Sequence, residues 1–293
     1  MISWHAQLSE WIRTACGMEV ACPKPGNVGP QQPFSHATAE DFLRSADAVA
    51  PVLSHAERQP LGQTILQAVQ ATRSVVSHNT NLGIILLTAP LAAVPPEQSL
   101  VAGITRVLDS LTVEDSRLVY QAILLAEPGG LGTADQQDLH CQPTVSLREC
   151  MRLAADRDMI ARQYANEFQE VLCLGVDLLR ESRQVTASQS QQITWVALKY
   201  LAEFGDSLVA RRCGREVSAK VRTLAAQVLA DGWPASQESR VRLEQFDQFL
   251  RADGHRRNPG TTADLIAALL FSALREGWLV PEDDWWKIDG KHA

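Results

Sequence analysis

The chain has 293 residues, 27 basic and 34 acidic side chains, a net charge of −7, and apolar and charged shares of 45% and 21%. That length buries a sizeable core, and the acidic balance argues against a general nucleic-acid binder, so an anionic ligand would need a local cationic pocket. The six cysteines show no zinc-like spacing, the N-terminus with His5, Glu10 and Arg13 does not read as a signal peptide, and the longest apolar run is too short to cross a bilayer; together these predict a soluble cytoplasmic protein with buried, reduced thiols.

Trp4, Leu8, Trp11, Ile12, Ala15 and Val20 recur at helical spacing and predict a first helix over 3–21. It ends at Pro23-Lys24-Pro25-Gly26-Asn27, a rigid loop that presents the Lys24 ammonium at a fixed place. Thr38 caps a helix to His55, with Asp41 three residues on, and Pro60 opens another to Val76. Ser77 to Gly83 is a polar lead-in to a helix over 84–94, apolar on every side, which Pro95-Pro96 ends. Helices over 97–109 and 113–126 follow, the second with the capping pattern Thr112-x-x-Asp115. Gly129-Gly130-Leu131-Gly132 then opens a polar loop to Thr144, of a length that is often functional.

Residues 146–183 read as one long helix bent at Gly175, and further helices cover 189–204, 217–230 and 238–250. Between them, Gly205-Asp206 precedes a short apolar turn and then Arg211-Arg212, an arrangement open to two readings, a site or an ordinary helix cap. The stretch Arg256-Arg257-Asn258-Pro259-Gly260-Thr261-Thr262-Ala263-Asp264 runs into an apolar helix. Thr261 or Thr262 suits its N-cap, and the free N–H groups of a helix start can hold phosphate. Asp264 would repel phosphate unless a metal ion sat between them, which hints at a metal–polyphosphate site; Thr261-x-x-Asp264 is also a capping-box spacing. Trp278, Trp285 and Trp286 are expected to pack across the bundle. Strand-like alternation is nearly absent, so the prediction is a single all-α domain over residues 1–293 with about ten helices.

Five stretches, in this order, resemble the triphosphoribosyl-dephospho-CoA synthase family. They are Pro23-Lys24-Pro25-Gly26; His36 with Asp41-Phe42 and Ser45-Ala46; Asn79-Thr80 with Gly83; Gly205-Asp206 with Arg212 and Gly214; and Asn258-Pro259-Gly260 with Ala263-Asp264-Leu265. The resemblance extends from about Ala15 to Leu274. It implies an all-helical enzyme that uses ATP and Mg²⁺, acts on small-molecule nucleotides rather than nucleic acid or membrane, and leaves a homo-oligomer open. In the family's reaction the 2′-hydroxyl of 3′-dephospho-CoA attacks C1′ of the ATP ribose, adenine departs, and the triphosphate stays on the transferred sugar.

The same resemblance implies roles. Asp206 and Asp264 would do the metal or general-base work, and His36 would be a polar contact or an acid–base group. Lys24, Arg212 and Arg257 would hold phosphates, and Asn79 and Thr80 would orient the nucleotide. Gly26, Gly83, Asn258, Gly260 and Thr261 would complete the substrate-binding set. On this reading Lys24, Asn79, Asp206, Arg212 and Asp264 converge on one cavity.

The chain also departs from the family's pattern. Gly29 replaces the usual acid after the Pro-Lys-Pro-Gly turn, and Asn81 and Leu82 replace a histidine and a lysine. Gly129 to Gly132 matches a Gly-x-Arg-Gly-Glu loop loosely and lacks its acid. The spellings Pro23-Lys24-Pro25-Gly26-Asn27-Val28 and Asn258-Pro259-Gly260-Thr261-Thr262-Ala263-Asp264 resemble a divergent branch associated with organisms that make methanopterin-type one-carbon cofactors. That gives two alternatives: ribosyl or phosphoribosyl transfer in assembling such a cofactor, and a non-catalytic nucleotide-binding scaffold.

Overall fold

In the computed structural model, which describes residues 2–35 and 37–282, the chain forms fourteen α-helices and, among those residues, no β-strand. In chain order they are α1 (Trp4–Ala21), α2 (Ala39–Leu53), α3 (Leu61–Val75), α4 (Leu82–Ala92), α5 (Leu100–Asp109), α6 (Val113–Ala126), α7 (Leu147–Ala154) and α8 (Met159–Ala165). The series continues with α9 (Val176–Val185), α10 (Gln189–Phe204), α11 (Ser207–Cys213), α12 (Arg215–Ala230), α13 (Gln237–Arg251) and α14 (Gly260–Arg275). None of them is long and apolar enough to cross a membrane.

The centre is a pair of helices without a polar face. Every residue of α4 is buried, as is every residue of α14 from Leu265 to Arg275, and the two pack against each other. A helix hydrophobic all round belongs in a core. Around this pair α1 lies on α14, α2 on α1 and α3, α6 on α3, and α10 on α12 and α14. The polar N-terminal ends of α4 and α14 are therefore brought together inside the molecule.

Local chemistry accounts for how these elements start and bend. Thr38 with Asp41, and Thr112 with Asp115, form the two capping boxes expected at α2 and α6. Pro90 lies within α4 and has no N–H to give the carbonyl of Leu86, four residues back. The hydroxyl of Tyr164, fully buried, donates to that carbonyl at 2.6 Å instead. The backbone also opens into a π-helical turn at Glu170–Gly175, ending at the glycine expected to bend it; the Tyr200 hydroxyl donates to Glu170 O at 2.6 Å, and a Cβ on Gly175 would collide with that hydroxyl.

Three expectations need correction. The single helix over 146–183 is α7, α8, the π turn and α9, which with α11 raises the helix count above ten. Asp158 caps α8, and Glu167 and Phe168 both take positive φ of 62°, breaking the run without glycine or proline. Second, neither Thr261 nor Thr262 caps α14, and no Thr261–Asp264 capping box forms. The N-cap is Pro259, and the carboxylate of Asp206, from outside α14, accepts the Thr262 N–H at 2.8 Å. Third, the thiols are free but not all buried: Cys141 and Cys173 are exposed. Trp278 packs against the core, whereas Trp285 and Trp286 lie outside the described residues.

Candidate active site

A cavity of about 570 Å³ opens where the starts of α4 and α14 meet the end of α1. Its wall includes Glu19, Asn27, Asn79, Thr80, Asn81, Gly83, Arg211, Arg212, Asn258, Gly260 and Asp264. A second cavity, of about 250 Å³, adjoins it under the loop 128–139. The two share Asn79, Leu82, Gly83, Leu208, Arg211, Arg212 and Asp264.

Asp264 occupies the junction. It sits one turn into α14, and among the described residues its carboxylate accepts no hydrogen bond. Its Oδ2 lies against the backbone of Gly83, so close that a Cβ at position 83 would overlap it. Gly83 is thus required by packing, because any side chain there would displace the acid. Burial holds the Asp264 carboxyl well above the usual carboxylate range; Glu19, Asp206 and Asp158 push it further up, and Arg211 opposes them. At the start of α4, Leu82 N–H donates to Asn79 Oδ1 at 3.0 Å and Ile85 N–H to Asn81 O at 2.9 Å. The N–H groups of Gly83 and Ile84 find no acceptor among the described residues, so this helix start can receive an anion.

The cations divide into engaged and available. Arg211 is paired with Asp158, and Arg257 with Asp253 at 3.1 Å while stacked on Phe249. Arg257 lines neither cavity. Arg212 lines both and has no carboxylate within ion-pair distance among the described residues. Gly129 and Gly130 pack directly on its side chain. Burial, then the neighbouring Arg211, lower its pKa, which leaves a partly desolvated cation facing the junction. Arg256 supports it by donating to Arg212 O at 2.9 Å.

The remaining sequence-derived residues fall into two groups. Thr80 lines the large cavity, with its hydroxyl 2.6 Å from that of Ser45. Asn258 also lines it and accepts from Asn27 Nδ2 at 2.8 Å. Gly260 lies on the same wall, and Thr261 faces the small cavity, accepting from Ser207 Oγ at 3.0 Å.

Lys24, Asp206 and Gly26 instead sit behind the wall. Lys24 is buried, 2.9 Å from Glu19 Oε1, and donates to the carbonyls of Glu19 and Cys22 at the end of α1. Asp206 accepts from Leu208 N and Val209 N through Oδ1, and from Thr262 N and Oγ1 through Oδ2. One carboxylate so caps α11 and ties α14 to it. Gly26, with φ of 77°, presses against Leu250 and Pro259 where no Cβ would fit. Of the five residues expected to converge, Asn79, Arg212 and Asp264 line the cavity, while Lys24 and Asp206 hold the elements that carry it. His36 lies outside the described residues.

The sequence profile of the ATP:dephospho-CoA triphosphoribosyl transferase family matches residues 5–282. The chain belongs to this family. A Pseudomonas putida protein named as a probable 2-(5″-triphosphoribosyl)-3′-dephosphocoenzyme-A synthase is 35% identical over 112 residues, which is 38% of this chain and 39% of that one. The aligned part thus spans well under half of the curated relative. A solved structure from Archaeoglobus fulgidus, described as a triphosphoribosyl-dephospho-CoA synthase, superposes with a TM-score of 0.65 at 27% identity, covering 81% of this chain and 100% of its own.

Within this transferase family member, sequence reasoning did not select Glu19 or Asn27 for the site, and it left Arg211, beside Arg212, open between a site and a helix-cap setting. Glu19 carried a usable signal: it is an acid between Met18 and Val20 on the apolar side of an amphipathic helix, a place a solvated glutamate avoids. Asn27 carried none, because its position depends on how the Pro-Lys-Pro-Gly loop docks.

Proposed function

We propose that the chain transfers the 5-triphosphoribosyl group of ATP to a hydroxyl of a nucleotide acceptor, dephospho-CoA in the family, and releases adenine. The observation that carries this reading is the unpartnered Asp264 carboxylate at the junction of two cavities, beside an arginine with no acid of its own. A transfer between two bound ligands needs that arrangement. The acceptor hydroxyl gives its proton to Asp264, and its oxygen forms the new bond to C1′. The C1′–N9 bond breaks, and adenine leaves with the electron pair and takes up a proton. The raised pKa makes Asp264 a stronger base than an ordinary carboxylate once it is ionised. Positive charge developing on the ribose is stabilised by Asp264 and Glu19.

The triphosphate lies against Arg212 and the open N–H groups of Gly83 and Ile84, with Arg256 near the mouth. Asn79, Thr80 and Asn258 orient the sugar and base. Lys24 fixes Glu19, and Asp206 fixes the start of α14, so both act as positioning residues. The described residues contain no cluster of three or more metal-ligating side chains. Asp264, with Glu19 behind it, offers one or two carboxylates, a donor set that suits Mg²⁺ when phosphate oxygens and water supply the other positions. Bound there, Mg²⁺ would neutralise charge on the triphosphate.

The test is adenine release, followed chromatographically, from ATP, Mg²⁺ and dephospho-CoA. The wild type is expected to release adenine. Asp264→Asn is expected to lose activity by a factor on the order of 10² to 10⁴, with its helical circular dichroism unchanged. A folded wild type that releases none overturns the reading.

A further inference from the structure

We infer that the smaller cavity is the acceptor's own pocket and takes an uncharged chain in which apolar and amide segments alternate, the chemistry of the pantetheine arm of dephospho-CoA. This rests on the transfer reading above. Three observations carry it.

The first is the division of side-chain types. The large cavity holds the ring-bearing groups Phe42 and His78 and the mutually stacked pair Phe34 and His255, whose centroids lie 4.0 Å apart, a ring-rich wall suited to a base. The helix walls of the small cavity instead present Leu86, Ile123, Met151, Ile160 and Ala161, with Arg157, Arg212 and the Arg211–Asp158 ion pair also on its lining. Its one aromatic residue, Tyr120, has its hydroxyl engaged with Gln137 O at 2.6 Å. A nucleoside therefore suits the large cavity and a flexible aliphatic chain the small one.

The second is the roof. Tyr120 pins the loop 128–139 over the cavity, and that loop contributes Thr133 and Gln136, uncharged groups able to pair with amides, while the Gln137 amide is engaged with Thr144 and the Asp138 carboxylate with Ala134 N and His140 N. At the mouth, Leu131 and Leu153 are left 37% and 36% exposed, an apolar rim that a bound chain would cover.

The third is the shared edge. Asp264, Gly83 and Leu82 belong to both cavities. A ligand whose arm fills the small cavity thus reaches the carboxylate at its nucleoside end. Leu82, where the family's pattern has a lysine, joins Leu208 as an apolar contact in a passage that Asn79, Arg211, Arg212 and Asp264 otherwise make polar.

The experiment measures binding of dephospho-CoA, 4′-phosphopantetheine and ATP by calorimetry to the wild type, to Ile123→Glu and to Ala161→Leu. Ala161 is buried and its enlargement can harm folding; Ile123 is only partly buried, so Ile123→Glu supplies a variant expected to fold. The expected result is at least a tenfold weaker affinity of Ile123→Glu for dephospho-CoA and for 4′-phosphopantetheine, with ATP affinity within twofold of wild type. Loss of ATP affinity with the acceptor unaffected would put the donor nucleoside in this cavity and overturn the assignment. So would unchanged binding of all three ligands, or no binding of 4′-phosphopantetheine to the wild type. If the arm binds as expected but no adenine is released, the pocket stands and the transfer reading falls.

Discussion

A carboxylate pressed between the backbone of Gly83 and a half-closed cavity, with Glu19, Asp206 and Asp158 around it, gains little from folding and gives up its hydration. The sign of the consequence follows from linkage. The unfolded chain releases the Asp264 proton near the ordinary value of 3.8, whereas the folded chain holds it to higher pH. Between those two points the native state binds more protons than the unfolded one, so stability contributed by this group falls as pH rises. Asp264→Asn cannot titrate and is expected to escape that fall. Urea unfolding of both proteins, compared from about pH 4 to pH 8, should give the variant a growing advantage toward neutral pH, together with lost activity. A gap that stays constant over this range would mean that Asp264 titrates like a solvated acid. Asp264 was legible in the sequence because an acid leading an all-apolar helix conflicts with the phosphate chemistry around it. Glu19 was harder to see, because its significance lies in the Lys24 partner that the loop folds back to it.

Among the elements, those with unmistakable patterning were legible: α4 and α14 from their unbroken apolar runs, α2 and α6 from their capping boxes. The breaks within 146–183 were not, since α7, α8 and α9 all turn apolar faces to the same core and keep one apparent period across their joints. Apart from the Asp158 cap of α8, tertiary contacts set these segments in place, and the bond from Tyr164 in α8 to Leu86 O in α4 is one of them. It exists because Pro90 deprives that carbonyl of its helical donor. Tyr164→Phe is therefore expected to leave a buried carbonyl unpaired and to cost about 1–3 kcal/mol. In a Pro90→Ala background residue 90 regains its N–H, and the same Tyr164→Phe change is expected to cost under about 1 kcal/mol. Denaturant unfolding of the wild type, the two single variants and the double variant measures this. Additive costs would show that the tyrosine and the proline act independently.

Over the whole molecule, the site is assembled from parts far apart in the chain. Asn27, in the loop after α1, bonds Asn258 just before α14, and Arg251 of α13 donates to Asn27 O at 2.7 Å. Asp206 ties the start of α11 to that of α14. The family pattern revealed which loops meet, but which of their side chains face inward depends on this docking, and for that reason Lys24 and Asp206 stand behind the wall while Arg211 and Glu19 stand in it. A ligand bridging these parts must stabilise them together. At a hundred times its Kd, ATP with Mg²⁺ would add about 2.7 kcal/mol to folding, roughly 4–5 °C in Tm for a chain of this size. Hydrogen exchange should slow at both helix starts, at Gly83 and Ile84 and again at residues 254–262, although some 170 residues separate them. Arg212→Ala removes the available cation without touching a helix cap, so its unliganded Tm is expected to stay near wild type while the ATP-induced shift shrinks by more than half. A full shift in Arg212→Ala, or protection at only one of the two helix starts, would mean that the nucleotide does not span the junction.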